Sequence, residues 1–254
     1  MIKRLISSII ALPIFFFILI KGGLVLQIAS FVVIGITLYE YYSSTGILNL
    51  YTFLGGLLTT AYLYFIGFVY FEIYLVILLF IFLLAGLNSK KLNIEKIGIF
   101  QISIFYIIVP IYLLNLISSS KFPMMIWLIF VIAWGSDTFA YFIGRIFGKH
   151  KLAPKISPKK TIEGSIGGIC GSVLISVVFY YYFNLQALSS VYVFITFVFV
   201  TTMLSQLGDL IASKIKRTFK IKDFGFIMPG HGGMLDRFDS VLIIIPIIYL
   251  FINS

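Results

Sequence analysis

Residues 191–240 read VYVFITFVFVTTMLSQLGDLIASKIKRTFKIKDFGFIMPGHGGMLDRFDS. The stretch opens as an unbroken apolar run and passes into polar sequence with no linker between. Val191 to Ala212 has the length of a membrane-crossing helix, which needs about 20 mostly apolar residues. From Ser205 onward charge of both signs accumulates. Asp209, Asp223, Asp236 and Asp239 are four of the nine acidic residues in the chain, and Lys214, Lys216, Arg217, Lys220, Lys222 and Arg237 lie among them. An apolar chain that gathers charge of both signs in one segment has a use for it.

The remainder sets that segment in context. The chain has 254 residues, 61% of them hydrophobic and 11% charged, with a mean hydropathy of +1.10. A soluble domain is about 25% charged. The expected fold is therefore all-α: a polytopic integral membrane protein of about nine transmembrane helices. Continuous apolar runs, rather than alternating ones, speak against a β-barrel. One cysteine, Cys170, excludes an intramolecular disulfide and a multi-thiolate metal site. Set among glycines, it reads as a small packed side chain. The net charge of +10 is assigned to loop bias and anionic lipid rather than to nucleic acid.

The spans are expected at about Leu5–Ile20, which reads as a retained first span rather than a cleaved signal, and at Leu24–Tyr42. Leu50 to Leu87 is too long for one crossing: about 38 residues at about 1.5 Å each is nearly twice a hydrocarbon core of about 30 Å. Gly67–Glu72 is the expected break between spans three and four. Further spans follow at about Ile97–Leu116, Pro123–Ile143, Ile166–Phe183, Val191–Ala212 and Phe238–Ile252. With nine spans, 17 of the 19 Lys and Arg fall at the N-terminus or after spans four, six and eight; Lys21 and Lys121 lie opposite. The positive-inside rule puts the N-terminus and both large basic loops in the cytoplasm, and the chain is expected in the cell (inner or plasma) membrane. Residues 1–122 read as a scaffold of about five spans and 123–254 as a catalytic region of about four. Glu40, Glu72 and Glu95 read as interfacial.

Chemistry concentrates in the second half. Asp137 lies inside span six, where a charged side chain is costly. It shares a helical face with Tyr141 and Arg145, which leaves two readings: an internal Asp–Arg pair, or a substrate or ion site. After span six, Ser157, Lys159, Lys160 and Thr161 offer hydroxyls and ammonium groups suited to polyphosphate, while Pro154 and Pro158 forbid a continuous helix. No Walker A pattern is present. Gly164/Gly168 and Gly167/Gly171 are GxxxG pairs, explained by close helix packing. In span eight Ser205, Asp209, Ser213 and Lys216 share one face. Asp236 and Asp239, at i and i+3, place two carboxylates on one face of a starting helix. With Asp209 they form a hard, oxygen-rich group suited to Mg²⁺. His231 fits no zinc pattern and reads as a hydrogen-bonding residue.

From Ser213 the sequence runs S-K-I-K-R-x4-K-D-F-G-x3-P-G-H-G-G-x2-D-R-F-D-S, which closely resembles the signature of the phosphatidate cytidylyltransferase (CDP-diacylglycerol synthase) family. Asp137 with Tyr141 and Gly144, SPKKTxEG from Ser157 to Gly164, and Ser205 with Gly208-Asp209 fit too. The resemblance covers roughly residues 134–240. Met228 stands where the family has Leu, Ile or Phe, a tolerable apolar change. The resemblance implies CMP transfer from CTP to phosphatidate, giving CDP-diacylglycerol and pyrophosphate. It also implies a metal centre of Mg²⁺ with a second, monovalent cation such as K⁺ at Asp209, Asp236 and Asp239, and a homodimer. Lys159, Lys160, Lys216, Arg217, Lys222 and Arg237 become candidates for phosphate, and Ser157, Thr161 and His231 for orienting substrate. Asp137 and Asp223 are candidates at the substrate-binding site, either supporting the residues that touch substrate or holding the structure around them. The polar site would lie at the cytoplasmic ends of spans six, eight and nine.

Two other readings compete. An ion-coupled transporter would use Asp137 and Asp209 as coupling carboxylates, but it should show a repeat with its site near the midplane, and no repeat is visible. A CDP-alcohol phosphatidyltransferase would carry DGxxAR followed by GxxxDxxxD, which is absent.

Overall fold

The computed structural model describes residues 2–87, 92–228, 230 and 232–253. Its helices follow the apolar runs: α1 Ile2–Lys21, α2 Gly23–Thr45, α3 Leu50–Ile66, α4 Phe71–Leu87, α5 Ile94–Ser118, α6 Met125–Phe147, α7 Ile162–Tyr182, α8 Val191–Thr218, the single turn α9 Leu235–Phe238, and α10 Val241–Asn253. Five of these, α2, α5, α6, α7 and α8, are long and apolar enough to cross a membrane. The architecture is nearly all-α rather than all-α. Between α6 and α7 two short strands, β1 Lys151–Ala153 and β2 Ser157–Thr161, pair antiparallel with Lys151 opposite Thr161 and Ala153 opposite Ser157. Pro154 and Pro158 lack the amide donor a helix needs, and the chain between them turns instead of coiling.

The chain divides into two compact units. One comprises residues 1–115 and 223–235; the other comprises 116–222 and 236–254.

In the first unit, local chemistry sets the helix ends. Gly46, with φ 71°, closes α2, and the Ile47 N–H returns to the Tyr42 carbonyl at 3.0 Å, a left-handed stop that glycine adopts without strain. Asn49 and Thr52 form a reciprocal capping box at the start of α3. The expected break at Gly67–Glu72 is present: α3 ends at Ile66 and α4 starts at Phe71. Within α5 one turn, Ile104–Ile108, is wound as a π-helix. Glu72 and Glu95 sit exposed in the first turns of α4 and α5. Glu40 is different. It is 2% exposed and accepts hydrogen bonds from the Met234 and Leu235 amides at 3.0 and 2.9 Å. The interfacial reading of Glu40 is therefore wrong. Its carboxylate serves backbone donors contributed by the 223–235 segment of the same unit.

In the second unit, α6 and α7 lie against each other along the glycine stripe. A Cβ added at Gly164 would sit 2.7 Å from the Ala140 carbonyl oxygen, at Gly168 2.8 Å from that of Ser136, and at Gly171 would overlap the Phe139 ring. The GxxxG reading holds: the small residues admit the neighbouring backbone. Gly171→Ala is accordingly expected to lower stability by about 1–3 kcal/mol through overpacking, read as a fall in the thermal melt of the detergent-solubilised protein. An unchanged melt would mean that the helices stand further apart. Cys170, expected to be packed, is exposed. Gly168 and Gly171 face α6, and Cys170 does not.

The helix α8 runs six residues beyond the expected end at Ala212, because its polar stripe continues the helix instead of ending it. Phe238 does not begin the last span. The chain makes the single turn α9, then a two-residue turn at Asp239-Ser240, and only then α10. Asp236 thus lies on a helical turn while Asp239 lies just past it. The expectation that both carboxylates share one face of a starting helix gives way to this break, where the Asp239 Oδ1 accepts the Ser240 amide at 2.8 Å.

Candidate active site

Gly208 brings α8 and the Asp239 turn together. A Cβ there would lie 2.8 Å from Ile243 Cγ2 and 3.1 Å from the Asp239 carbonyl oxygen. The next residue on α8, Asp209, is therefore placed beside that turn. Its carboxylate is ion-paired with Lys160 of β2, both side chains about a quarter exposed. About two turns further along α8, the Lys216 ammonium lies 2.7 Å from Asp236 and 3.8 Å from Asp239. The Asp236 side chain is 3% exposed and that of Asp239 17%. Asp137, Asp209 and Asp239 lie within one another's electrostatic reach, and Lys160, Lys216 and Arg237 partly offset them. Asp239 sits in the turn outside the helices. Burial, and after it the charge of Asp209, pushes its carboxyl up to about 7. The site therefore favours a proton or a bound cation at that position.

Beside these carboxylates is a cleft of about 300 Å³ whose lining includes Asp137, Tyr141, Arg145, Lys159, Lys160 and Thr161. It is formed by α6, the hairpin, α7 and α8. Three features build its walls. Thr161 caps α7, its Oγ1 accepting the Gly164 amide at 3.1 Å. The Glu163 carboxylate accepts the Lys149 amide at 3.1 Å and pairs with the His150 ring at 2.6 Å, which pins the start of the hairpin to the start of α7. Gln206 donates to the Ser136 hydroxyl and to the Ser165 carbonyl, both at 3.1 Å, and so joins three helices at the floor.

Chemically, the arrangement offers a cation-rich pocket for anionic oxygens next to a set of oxygen ligands. A model described as the cytidylyltransferase family matches residues 2–254.

The chain belongs to the cytidylyltransferase family. Over 119 residues the chain is 48% identical to a protein of Staphylococcus epidermidis named phosphatidate cytidylyltransferase; the match covers 47% of the chain and 45% of that relative. A protein of the same name from Staphylococcus haemolyticus is 46% identical over 121 residues, again 47% and 45% of the two chains. One from Staphylococcus aureus is 44% identical over 119 residues, with the same coverage. The match to the chain thus spans under half the length of these curated relatives.

The expected site residues are distributed as follows. Asp137, Lys159, Lys160 and Thr161 line the cleft, and Asp209 adjoins it through Lys160. Lys216, Asp236 and Asp239 form the second cluster. Arg237 is exposed on α9, and Asp137 feels its charge. Ser157 begins β2, outside the cleft lining. The Arg217 guanidinium donates to the Ile221 carbonyl at 3.2 Å, closing the end of α8. Lys222 is exposed, Asp223 belongs to the other unit, and His231 lies outside the described residues. Arg145 does not pair with Asp137. It donates to the Tyr141 hydroxyl at 2.8 Å, and among the described residues no cation lies within 4 Å of the Asp137 carboxylate. Arg145, read from the sequence only as a partner for Asp137, lines the cleft, and so does Gln206, which sequence reasoning passed over. Gln206 had a signal, since it is an amide inside an apolar helix one turn before Asp209.

The donor chemistry fits Mg²⁺ in one mode only. Among the described residues no three His, Cys, Asp or Glu side chains converge as a ready-made metal group, and Asp209 and Asp236 each hold a lysine. Mg²⁺, however, commonly takes one or two carboxylates and completes its octahedron with water and substrate phosphate. The partly exposed Asp209 and Asp239 suit that arrangement.

Proposed function

We propose that this chain transfers CMP from CTP to phosphatidate at the Asp209–Asp239 cluster and the adjoining cleft. A phosphate oxygen of phosphatidate forms a bond to the α-phosphorus of CTP. The bond to the β-phosphate bridging oxygen breaks, and its electron pair leaves with pyrophosphate. The products are CDP-diacylglycerol and pyrophosphate. The observation that carries the reading is the pairing of like with unlike charge: carboxylates set close together, each beside a lysine, next to a pocket lined by Arg145, Lys159 and Lys160.

Phosphatidate is already an oxyanion, so the chain need not deprotonate it. The barrier lies in bringing anions together and supporting charge on the leaving group, which fixed cations and oriented donors lower. Lys159, Lys160 and Arg145 hold phosphate oxygens. Lys216 and Arg237 offset the charge that builds on pyrophosphate, and Thr161 shapes the wall. Mg²⁺ at Asp209, Asp236 and Asp239, with a second cation such as K⁺, would supply charge neutralisation at the phosphates when bound. Asp209 and Asp239 are the accessible pair, and Asp236 joins them only when Lys216 releases it.

In this reading the chain works as a homodimer in the cell membrane with nine crossings. Its N-terminus and its site face the cytoplasm, where CTP and the lipid headgroup can meet. The bias of 17 of 19 cations to one side supports the orientation.

The test is formation of CDP-diacylglycerol by the purified, detergent-solubilised chain given CTP and phosphatidate. Turnover that rises with Mg²⁺ and ceases on chelation is the expected result. Well-folded protein inactive with every nucleotide and divalent metal tried would sink the synthase reading and return Asp137 and Asp209 to the transporter alternative.

A further inference from the structure

Glu40, in α2, has no part in the chemistry above, yet among the described residues it is the most completely buried acid. Both of its oxygens are engaged by consecutive amides: Oε1 by Met234 N–H at 3.0 Å and Oε2 by Leu235 N–H at 2.9 Å. A carboxylate gripping two successive amides fixes the direction of a chain as well as its place. The loop is cut to fit it. A Cβ on Gly233 would lie 2.6 Å from Oε2, and one on Gly225 would overlap Oε1. Beside Glu40 on α2, the Tyr41 ring meets that of Phe224, centroids 6.3 Å apart, and Phe224 is 4% exposed. Met228 N–H donates to the Gly232 carbonyl at 3.0 Å and closes the segment on itself. Gly230 and Gly232 supply the positive φ values of 80° and 86° that this closure needs.

Burying a carboxylate is costly unless its oxygens are bonded, so a segment merely needing cover would be served better by an apolar residue. What Glu40 adds is a fixed start for the next element, because Leu235 is joined directly to Asp236.

We propose that Glu40 is a positioning residue that anchors residues 232–235 to α2 and thereby sets where α9 begins, its first residue, Leu235, being joined to Asp236. Its effect on catalysis rests on the function proposed above; the anchoring does not.

Glu40→Gln in the full-length chain is the test, with Glu40→Asp and Gly233→Ala beside it. Glutamine keeps the shape but turns an NH₂ toward one of the two amide donors. The expected result has two parts. Hydrogen exchange at residues 232–235 should quicken at least tenfold. The kcat should fall by about 10–10²-fold, the scale of a misplacement of about 1 Å, with KM for CTP changed less than threefold. Aspartate, which keeps both acceptors on a shorter arm, should recover part of kcat. Gly233→Ala, which displaces the carboxylate from the loop side, should reproduce the loss. Glu40→Gln within twofold of wild type in exchange overturns the anchor. Faster exchange with unchanged kcat overturns the positioning role. A wild type that makes no CDP-diacylglycerol overturns the proposed reaction, and exchange alone then decides the anchor.

Discussion

Asp239→Asn is expected to reduce CDP-diacylglycerol formation by about 10²–10³-fold, the loss that follows removal of one well-placed electrostatic contact to a reacting phosphate or its metal. The same change should leave the melt where it was or raise it. The reason lies in what Asp239 touches. Its Oδ1 accepts the Ser240 amide at 2.8 Å, a role the asparagine oxygen can take over. Its second oxygen is 3.8 Å from Lys216, which keeps the closer Asp236 at 2.7 Å. Substitution also removes a negative charge that lies in the field of Asp209 and Asp137. A stability gain paired with an activity loss is the mark of a strained functional carboxylate. Initial rates and thermal melts of the same preparations test this. Activity within tenfold of wild type would remove Asp239 from the proposed metal group.

The helices and the site were legible to different degrees. The apolar runs located every long helix, and the Gly67–Glu72 break was visible because about 38 apolar residues cannot cross once. The GxxxG pairs announced the α6–α7 contact. Other features depend on partners far along the chain. Glu40 looked like an interfacial acid because it sits near a predicted helix end; its donors are 194 and 195 residues away. Lys160 and Asp209 were each legible as charged residues in an apolar protein, but their pairing was not, since it requires β2 to fold back onto α8. The hairpin itself was hidden because two prolines state only where a helix stops. The turn at Asp239-Ser240 was masked by continuous apolar sequence on its C-terminal side. Gly208 gave no pattern of its own; its use appears only where the Asp239 turn crosses it.

Lys216→Met should lower stability by about 3 kcal/mol, the low end of the cost of removing one partner from a buried ion pair. Lys216 is 12% exposed and its partner Asp236 3%, so water cannot replace the ammonium at the Asp236 carboxylate. Methionine retains most of the packing, which confines the loss to charge. Asp236→Asn should cost less, because Lys216 still has Asp239 at 3.8 Å. The double variant Lys216→Met with Asp236→Asn should recover part of the loss, and the cycle of four proteins isolates the pair from the rest of the site. If Lys216→Met instead melts like wild type yet loses turnover, the ammonium is held for substrate phosphate and not for the fold. The two results also bear on Asp236. A lysine that stabilises the resting protein must let go before Asp236 can reach a metal, whereas one that moves freely to phosphate leaves Asp236 available from the start.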